Sequence, residues 1–229
     1  MNKLYTAVGR LQMNGNIGGK RCPMVVINSK EYILDLQEMM LWSILNWRIL
    51  TEEEVMNLYT EKEQEVGYQS HRSNADCLYR LVQRGLVADG GGETPADALY
   101  DLLSGLYIIP ISENLFLRLL SFVKLTAFNG VPLTVTKKLL YADKRTDGEK
   151  NVMQLARQAL MSTAEIIKCV SLNRLQFDSE EHLLDTLYHD DITTSDNLPE
   201  QSRTLSTCRP VLTSIANLYL RRQIIFERL

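Results

Sequence analysis

The tetrapeptide Thr51-Glu52-Glu53-Glu54 constrains this chain more than any other feature. A threonine hydroxyl can accept from the backbone N–H three residues on while the glutamate there reaches back, the reciprocal capping box that opens a helix. Leu50 and Val55 stand at the two positions of a hydrophobic staple, which sets the angle of entry. The box predicts a helix start at residue 52 and an end before Gly67. Just upstream, Met39, Met40, Trp42, Ile44, Leu45 and Trp47 predict an apolar core helix from Leu36. Downstream, Ser70 or Ser73 can cap a third helix with Leu78, Leu81 and Val82 on its apolar face. Gly85 suits the left-handed position after its last turn. Leu86-Val87 reads as a short strand, and Asp89-Gly90-Gly91-Gly92-Glu93 as an acidic glycine loop. Thr94 then caps a fourth helix, with Pro95 at its first position, Asp97 at the positive end of its dipole and Gly105 ending it.

Residues 1 to 35 read as β-rich. Pro23 to Ile27 and Glu31 to Leu34 form a hairpin around Asn28-Ser29-Lys30, and residues 13 to 20 form a glycine-rich loop before it. The second half reads as helical. Its expected helices are 115–128, a long one from the capping box Thr146–Glu149 through Val170, 180–188, and a tail from Pro199 that Pro210 kinks or interrupts. No internal repeat or low-complexity tract is apparent. The expected fold class is mainly α with a small β component. It divides into residues 1–110, a β-hairpin and helical unit, and 111–229, a helical domain for dimerisation or partner binding.

The 229 residues include 25 Lys plus Arg and 28 Asp plus Glu, a net charge of −3. That excludes a surface that is cationic throughout and permits only a local basic patch. The positive charge lies at the ends: residues 1–34 hold five basic residues and one acidic, and so do residues 201–229. If both ends lay beside Arg72, Arg80 and Arg84, a composite basic surface would result. Arg10 interrupts any signal-peptide core, and the apolar stretch Leu115–Phe128 is too short to span a bilayer and carries Arg118 and Lys124. Cys22, Cys77, Cys169 and Cys208 form no C-x-x-C pair, which fits reduced thiols. A cytoplasmic location without membrane contact is expected.

Chemistry-bearing motifs are incomplete. The stretch Gly15-Asn16-Ile17-Gly18-Gly19-Lys20-Arg21 misses the phosphate-loop pattern, because Asn14 stands where a glycine is needed and no Ser or Thr follows Lys20. There is no G-x-S-x-G nucleophile elbow. Cys169 falls in an apolar helical stripe, an environment for a buried thiol and not a nucleophile. His182, Asp185 and His189 share one helical face and are metal-ligand types, but the same face reads as the polar side opposite Leu183, Leu184, Leu187 and Tyr188. Trp42 and Trp47 read as core and packing residues. No catalytic residue, metal or cofactor is expected, and the protein reads as non-enzymatic.

The segment Leu78-Tyr79-Arg80-Leu81-Val82-Gln83-Arg84-Gly85-Leu86-Val87 resembles the end of the recognition helix and the first wing strand of winged helix-turn-helix domains. The leading hairpin Val25–Leu34 is similar to the N-terminal strands of some of them. The resemblance covers residues 24–104. It implies a helix from Ser70 to Arg84 presented to a major groove. Gln69, Ser70, His71, Arg72, Ser73 and Asn74 would then stand at its base-reading end, with Arg80 and Arg84 on phosphates. The implied function is a DNA-binding, transcriptional regulator, dimeric through its C-terminal helices. Charge argues the other way, since residues 35–100 hold five basic and twelve acidic residues. There is also scarcely room for a second wing strand between Val87 and Thr94. The second reading is therefore a protein-binding adaptor on the same scaffold. The acidic helix, Leu-x-x-x-Gly-Leu, acidic glycine loop and helix also look like the substrate chaperones of type VII secretion.

Overall fold

The computed structural model describes residues 2–17, 20–68, 72–111, 145–190 and 192–229. The expected helix 115–128 lies outside them, as do Gln69, Ser70 and His71 of the expected reading end. Among the described residues helix exceeds strand by about two to one, but the β component is larger than one hairpin: they form three three-stranded sheets.

The first strand, β1 (Asn2–Ala7), is not apparent in the hydropathy pattern. The meander β2 (Arg10–Ile17), β3 (Lys20–Ile27) and β4 (Lys30–Ile33) follows it. The expected turn is present, and Asn28 and Ser29 both take positive φ, 45° and 62°, as a two-residue hairpin loop matching strand twist requires. Residues 13–17 and Lys20 of the glycine-rich stretch are strand and not loop, and Gly18 and Gly19 lie outside the described residues. The stretch supplies β2–β3 pairing out to Ile17↔Lys20, with the register shifting between Gln12 and Gly15. Only Met24 to Ile27 of β3 also pair with β4, so the far end of the meander is a two-stranded ribbon. Buried Met24, Val25, Val26 and Ile27 anchor its near end.

Next come α1 (Leu36–Leu45), β5 (Leu50–Thr51), α2 (Glu52–Val66), α3 (Asn74–Gln83), β6 (Val87–Gly92) and α4 (Pro95–Leu103). The capping box at Thr51 forms in both directions, Gly67 ends α2 in the left-handed region, and Ser73 is the cap of α3. The acidic glycine loop is corrected to strand. β6 runs through Gly92 and pairs with β1 along its whole length. The glycines are needed because α4 crosses directly over them: a Cβ on Gly92 would sit 2.5 Å from Ala98 N, and one on Gly90 would fall into the Leu102 backbone. No second wing strand follows β6. Its sheet partner is β1, in the order β5-β1-β6.

In the second half, β7 (Tyr107–Pro110) precedes α5 (Asp147–Gln158), β8 (Met161–Ser162), α6 (Thr163–Ser171), α7 (Glu180–Tyr188), α8 (Leu198–Arg203), α9 (Cys208–Leu220) and β9 (Ile224–Glu227). Two expectations are corrected here. The long helix is two helices, because Ala159 is extended at φ −151° and Ser162 caps a new start with Glu165 in a further capping box. Pro210 does not interrupt the tail helix. It sits in the first turn of α9, where its missing N–H has no intrahelical partner to lose, and the chain then ends as strand.

The second half repeats the first, which overturns the expectation of no internal repeat. Both units read strand, helix, two-residue strand, helix, helix, strand, with sheet orders β5-β1-β6 and β8-β7-β9. The match extends to single residues. Caps fall at 35 and 51 in one unit and at 146 and 162 in the other, with the same spacing. The cap of the second helix pairs with the central strand in both, Leu4↔Thr51 and Tyr107↔Ser162. In each unit the box glutamate of the first helix is buried and paired with the arginine that ends the third: Glu38 with Arg84 at 2.8 Å, Glu149 with Arg221 at 3.2 Å. Helices α7 and α8 are an insertion in the second unit.

One apolar core runs through both units, from Tyr5, Trp42 and Leu81 to Val152, Ile215 and Phe226. Polar ties cross between them. Tyr219 Oη accepts from Trp47 N at 3.0 Å and faces Ala7 O at 3.3 Å, and Gly9 N donates to Phe226 O at 2.8 Å. Within the first unit, Trp42 Nε1 donates to Val8 O and Leu86 O at 3.2 and 3.0 Å, as befits a wholly buried indole. Among the described residues, no helix is long and apolar enough to cross a membrane.

Candidate nucleic-acid interface

The α3 end that winged-helix analogy assigns to base reading is tied into the protein. Ser73 Oγ accepts from Asp76 N at 3.2 Å as the helix cap. The buried Gln37 amide donates to Arg72 O at 3.0 Å and to Asn74 Oδ1 at 3.2 Å. Arg72 is hydrogen-bonded to Asp35. Burial pushes the Asp35 carboxyl up, but the Glu38 N–H and Arg72 outweigh it, and its pKa falls below the usual carboxylate value. Arg84 donates to Glu38 Oε2 and to Ile33 O, both at 2.8 Å, while Arg80 Nη2 lies 3.8 Å from Glu38 Oε1.

Arg72, Arg80 and Arg84 therefore hold α3 against α1 and its cap, and carboxylates offset their charge. The exposed side of α3 presents Asp76, Tyr79, Arg80 and Gln83, one charge of each sign. Helix α2 exposes Glu52, Glu53, Glu54, Glu61 and Glu65, of which Glu61 and Glu65 line a groove with Ser43, Ile44 and Arg48. The exposed side of α3 itself therefore offers a phosphate no net positive charge.

The cationic ends of the chain do not gather beside α3. The two ends meet through their backbones, and three of their cations are ion-paired: Lys3 with Asp89 at 3.1 Å, Arg203 with Asp97 at 2.7 Å and Arg221 with Glu149 at 3.2 Å. Residues 1–30 contain Lys3, Arg10, Lys20, Arg21 and Lys30 and no acid; residues 201–226 contain Arg203, Arg209, Arg221 and Arg222 and no acid. The Gly9–Phe226 hydrogen bond joins the root of the β2–β3 ribbon to β9. The Asn28 N–H donates to Glu227 Oε1 at 2.5 Å on the same edge. Only Arg228 reaches toward α3, with Nη1 3.7 Å from where a Cβ on Gly85 would stand. Lys20 and Arg21 pair with Ile17 and Asn16 at the outer end of the ribbon. Charge counting locates these residues at the termini, and the signal that singles them out is the length of each run without an acid.

The enzyme-like candidates are not brought together. Burial pushes the Cys77 thiol up to about 11 and the Cys169 thiol up to about 12, so neither is a thiolate near neutrality. Iodoacetamide at pH 8 is expected to leave both unmodified in the folded protein and to alkylate them once urea is added, as peptide mass mapping would read. Native alkylation at Cys169 would contradict this burial. His182 Nδ1 lies 4.0 Å from Asp178, and its ring meets Phe177 edge-on at 5.8 Å. Among the described residues, no three His, Cys, Asp or Glu side chains gather as a metal site. Helix α9 buries Val211, Leu212, Ile215, Leu218 and Tyr219 within its own chain, so that apolar stripe is not a free surface for a second copy.

The chain matches no protein-family model, no curated protein sequence and no solved structure.

Proposed function

We propose that this protein is a non-enzymatic nucleic-acid-binding regulator built from two winged-helix-like units, and that its joined acid-free ends, not α3, carry the phosphate contacts. The observation behind this reading is the sorting of charge. The α3 arginines are paired with Asp35 and Glu38; of the two stretches without acids, Lys3, Arg203 and Arg221 are also paired, so the reading rests on the ribbon residues Lys20 and Arg21 and on the backbone bond that joins the two stretches at Gly9 and Phe226. A two-stranded β-ribbon fits a major groove as a helix does. Gln12, Asn14, Asn16 and Arg21 on β2 and β3 are residue types that read bases or hold phosphates.

The test is a titration of nonspecific duplex DNA at several salt concentrations. Lys20→Ala combined with Arg21→Ala is expected to weaken binding about tenfold at low salt and to flatten the salt dependence by roughly two charges. Arg72→Ala combined with Arg80→Ala is expected to leave the salt slope unchanged. Absence of duplex binding by the unaltered protein at low salt would overturn the reading. The protein-binding adaptor would then stand. The carboxylates exposed on α2 favour it, since they suit a basic protein partner.

A further inference from the structure

The two units share strand register, so the faces of their sheets correspond. Leu4 pairs with Gly90 in the first as Tyr107 pairs with Glu227 in the second. Residues opposed in an antiparallel pair point to one side, and alternate residues share it. Leu4, Thr6, Ala88, Gly90 and Gly92 therefore lie on one face of the first sheet. The equivalent face of the second carries Tyr107, Ile109, Ile225 and Glu227, with Leu229 two residues on.

In the first sheet α4 covers this face. A Cβ on Gly90 or Gly92 would meet the backbone at Leu102 or Ala98, and Asp101 accepts from Gly91 N at 2.8 Å. In the second sheet Glu227 and Leu229 stand where those glycines are. Among the described residues no helix packs along β9 as α4 packs along β6. A groove of about 270 Å³ opens there instead, lined by Ile109, Leu160, Ile225 and Leu229 and, from the meander, by Arg10 and Val26. Leu160 and Leu229 are 47% and 68% exposed, and Ile109 and Ile225 are half-buried. Single exposed apolar side chains are ordinary, but several converging on one groove mark a contact surface. The meander turn closes one side, where Asn28 N donates to Glu227 Oε1.

The molecule itself shows which element such a face receives. Helix α4 sets Ala98 and Leu102 against its sheet and carries Asp97 and Asp101. A helix over the second sheet would rest on the Ile225 and Leu229 side chains and so ride further out than α4 does. Charge adds a second requirement. Of the two charged residues lining the groove, Glu227 is buried and engaged by Asn28, whereas Arg10 is exposed and has no ion pair among the described residues. Lys30 and Glu31, one charge of each sign, flank the turn outside the lining. An acid on the flank of the incoming helix complements Arg10.

We infer that this groove is the docking site for an amphipathic, acid-flanked helix of a partner protein, received by the β7–β9 sheet as α4 is received by the β1–β6 sheet. The inference stands apart from the nucleic-acid reading, whose contacts lie at Lys20 and Arg21.

The probe is a fluorescein-labelled peptide of the α4 sequence, residues 94–105, titrated with the intact protein and read by anisotropy. The same residues in scrambled order are the control. Wild type is expected to bind the α4 peptide about tenfold more tightly than the scrambled one. Leu160→Asp and Leu229→Asp, at exposed positions, should each weaken binding about tenfold with Tm unchanged, because a carboxylate would be desolvated against the apolar ridge. Arg10→Glu should prefer a peptide with lysines in place of Asp97 and Asp101, reversing the wild-type preference. Lys20→Ala with Arg21→Ala should bind the peptide like wild type, so this site and the duplex site fail separately. No binding, equal affinity for the two peptide orders, or binding that Leu160→Asp and Leu229→Asp leave unchanged overturns the groove. A wild-type dimer in sedimentation that Leu160→Asp dissociates would assign the groove to a second copy and overturn the partner helix.

Discussion

Arg221→Ala is expected to destabilise the protein by about 3–5 kcal/mol in urea unfolding, the cost of stranding one partner of a buried ion pair. The partner left behind is Glu149, which is 0% exposed. Its Oε2 accepts from Thr146 N at 2.9 Å and from Arg221 at 3.2 Å, and its Oε1 has no hydrogen-bond partner among the described residues. Without Arg221 the buried carboxylate loses its cationic partner and keeps only the Thr146 N–H. Glu149→Gln should cost less, because the amide can still accept from Thr146 and the arginine left behind is partly exposed and can hydrate. The matching change in the first unit, Arg84→Ala, should be milder than Arg221→Ala, since Arg80 remains 3.8 Å from Glu38. Equal losses for the two arginines would mean that Arg80 does not compensate the Glu38 charge.

Gly90→Ala should be at least as damaging as the worst over-packed cores, about 3 kcal/mol or more, or should abolish folding. The methyl would enter the Leu102 main chain, and a helix backbone cannot yield as a flexible side chain can. To admit it, α4 would have to lift from β6, exposing Ala98, Leu102 and Leu103. Gly67→Ala provides the contrast. Nothing lies within 4 Å of a Cβ there, and only the positive φ of 67° opposes the change, for about 1 kcal/mol. Thermal unfolding of the two variants side by side would test the assignment. A folded Gly90→Ala protein with wild-type Tm would mean that α4 does not pack directly on β6.

Helix starts were legible because a cap is a local event. Thr51 with Glu54, Thr94 with Asp97 and Thr146 with Glu149 all form their reciprocal bonds where the residues alone placed them. Ser162 with Glu165 carried the same signal, but continuous apolar periodicity across Ala159 concealed it. The glycines of β6 misled for a related reason. Three consecutive glycines read as a loop when the reason for them is a helix lying on top, and nothing local records that helix. The repeat was hidden because the units share polar devices and strand register, while α7 and α8 separate the matched helices of the second unit.

The candidate site divides in the same way. The sequence alone established that both chain ends carry a net positive charge and that the helical middle of the first half is acidic. It also supplied the caps, turns and apolar stripes, which depend on neighbours within a few residues. Only the tertiary structure decided which charges meet. It set Arg72 and Arg84 against Asp35 and Glu38, and it brought Gly9 to Phe226 and Trp47 to Arg222. Ion pairing and stacking act over a few ångströms in space, whatever the distance along the chain, so an arginine's availability to a ligand is a property of the fold.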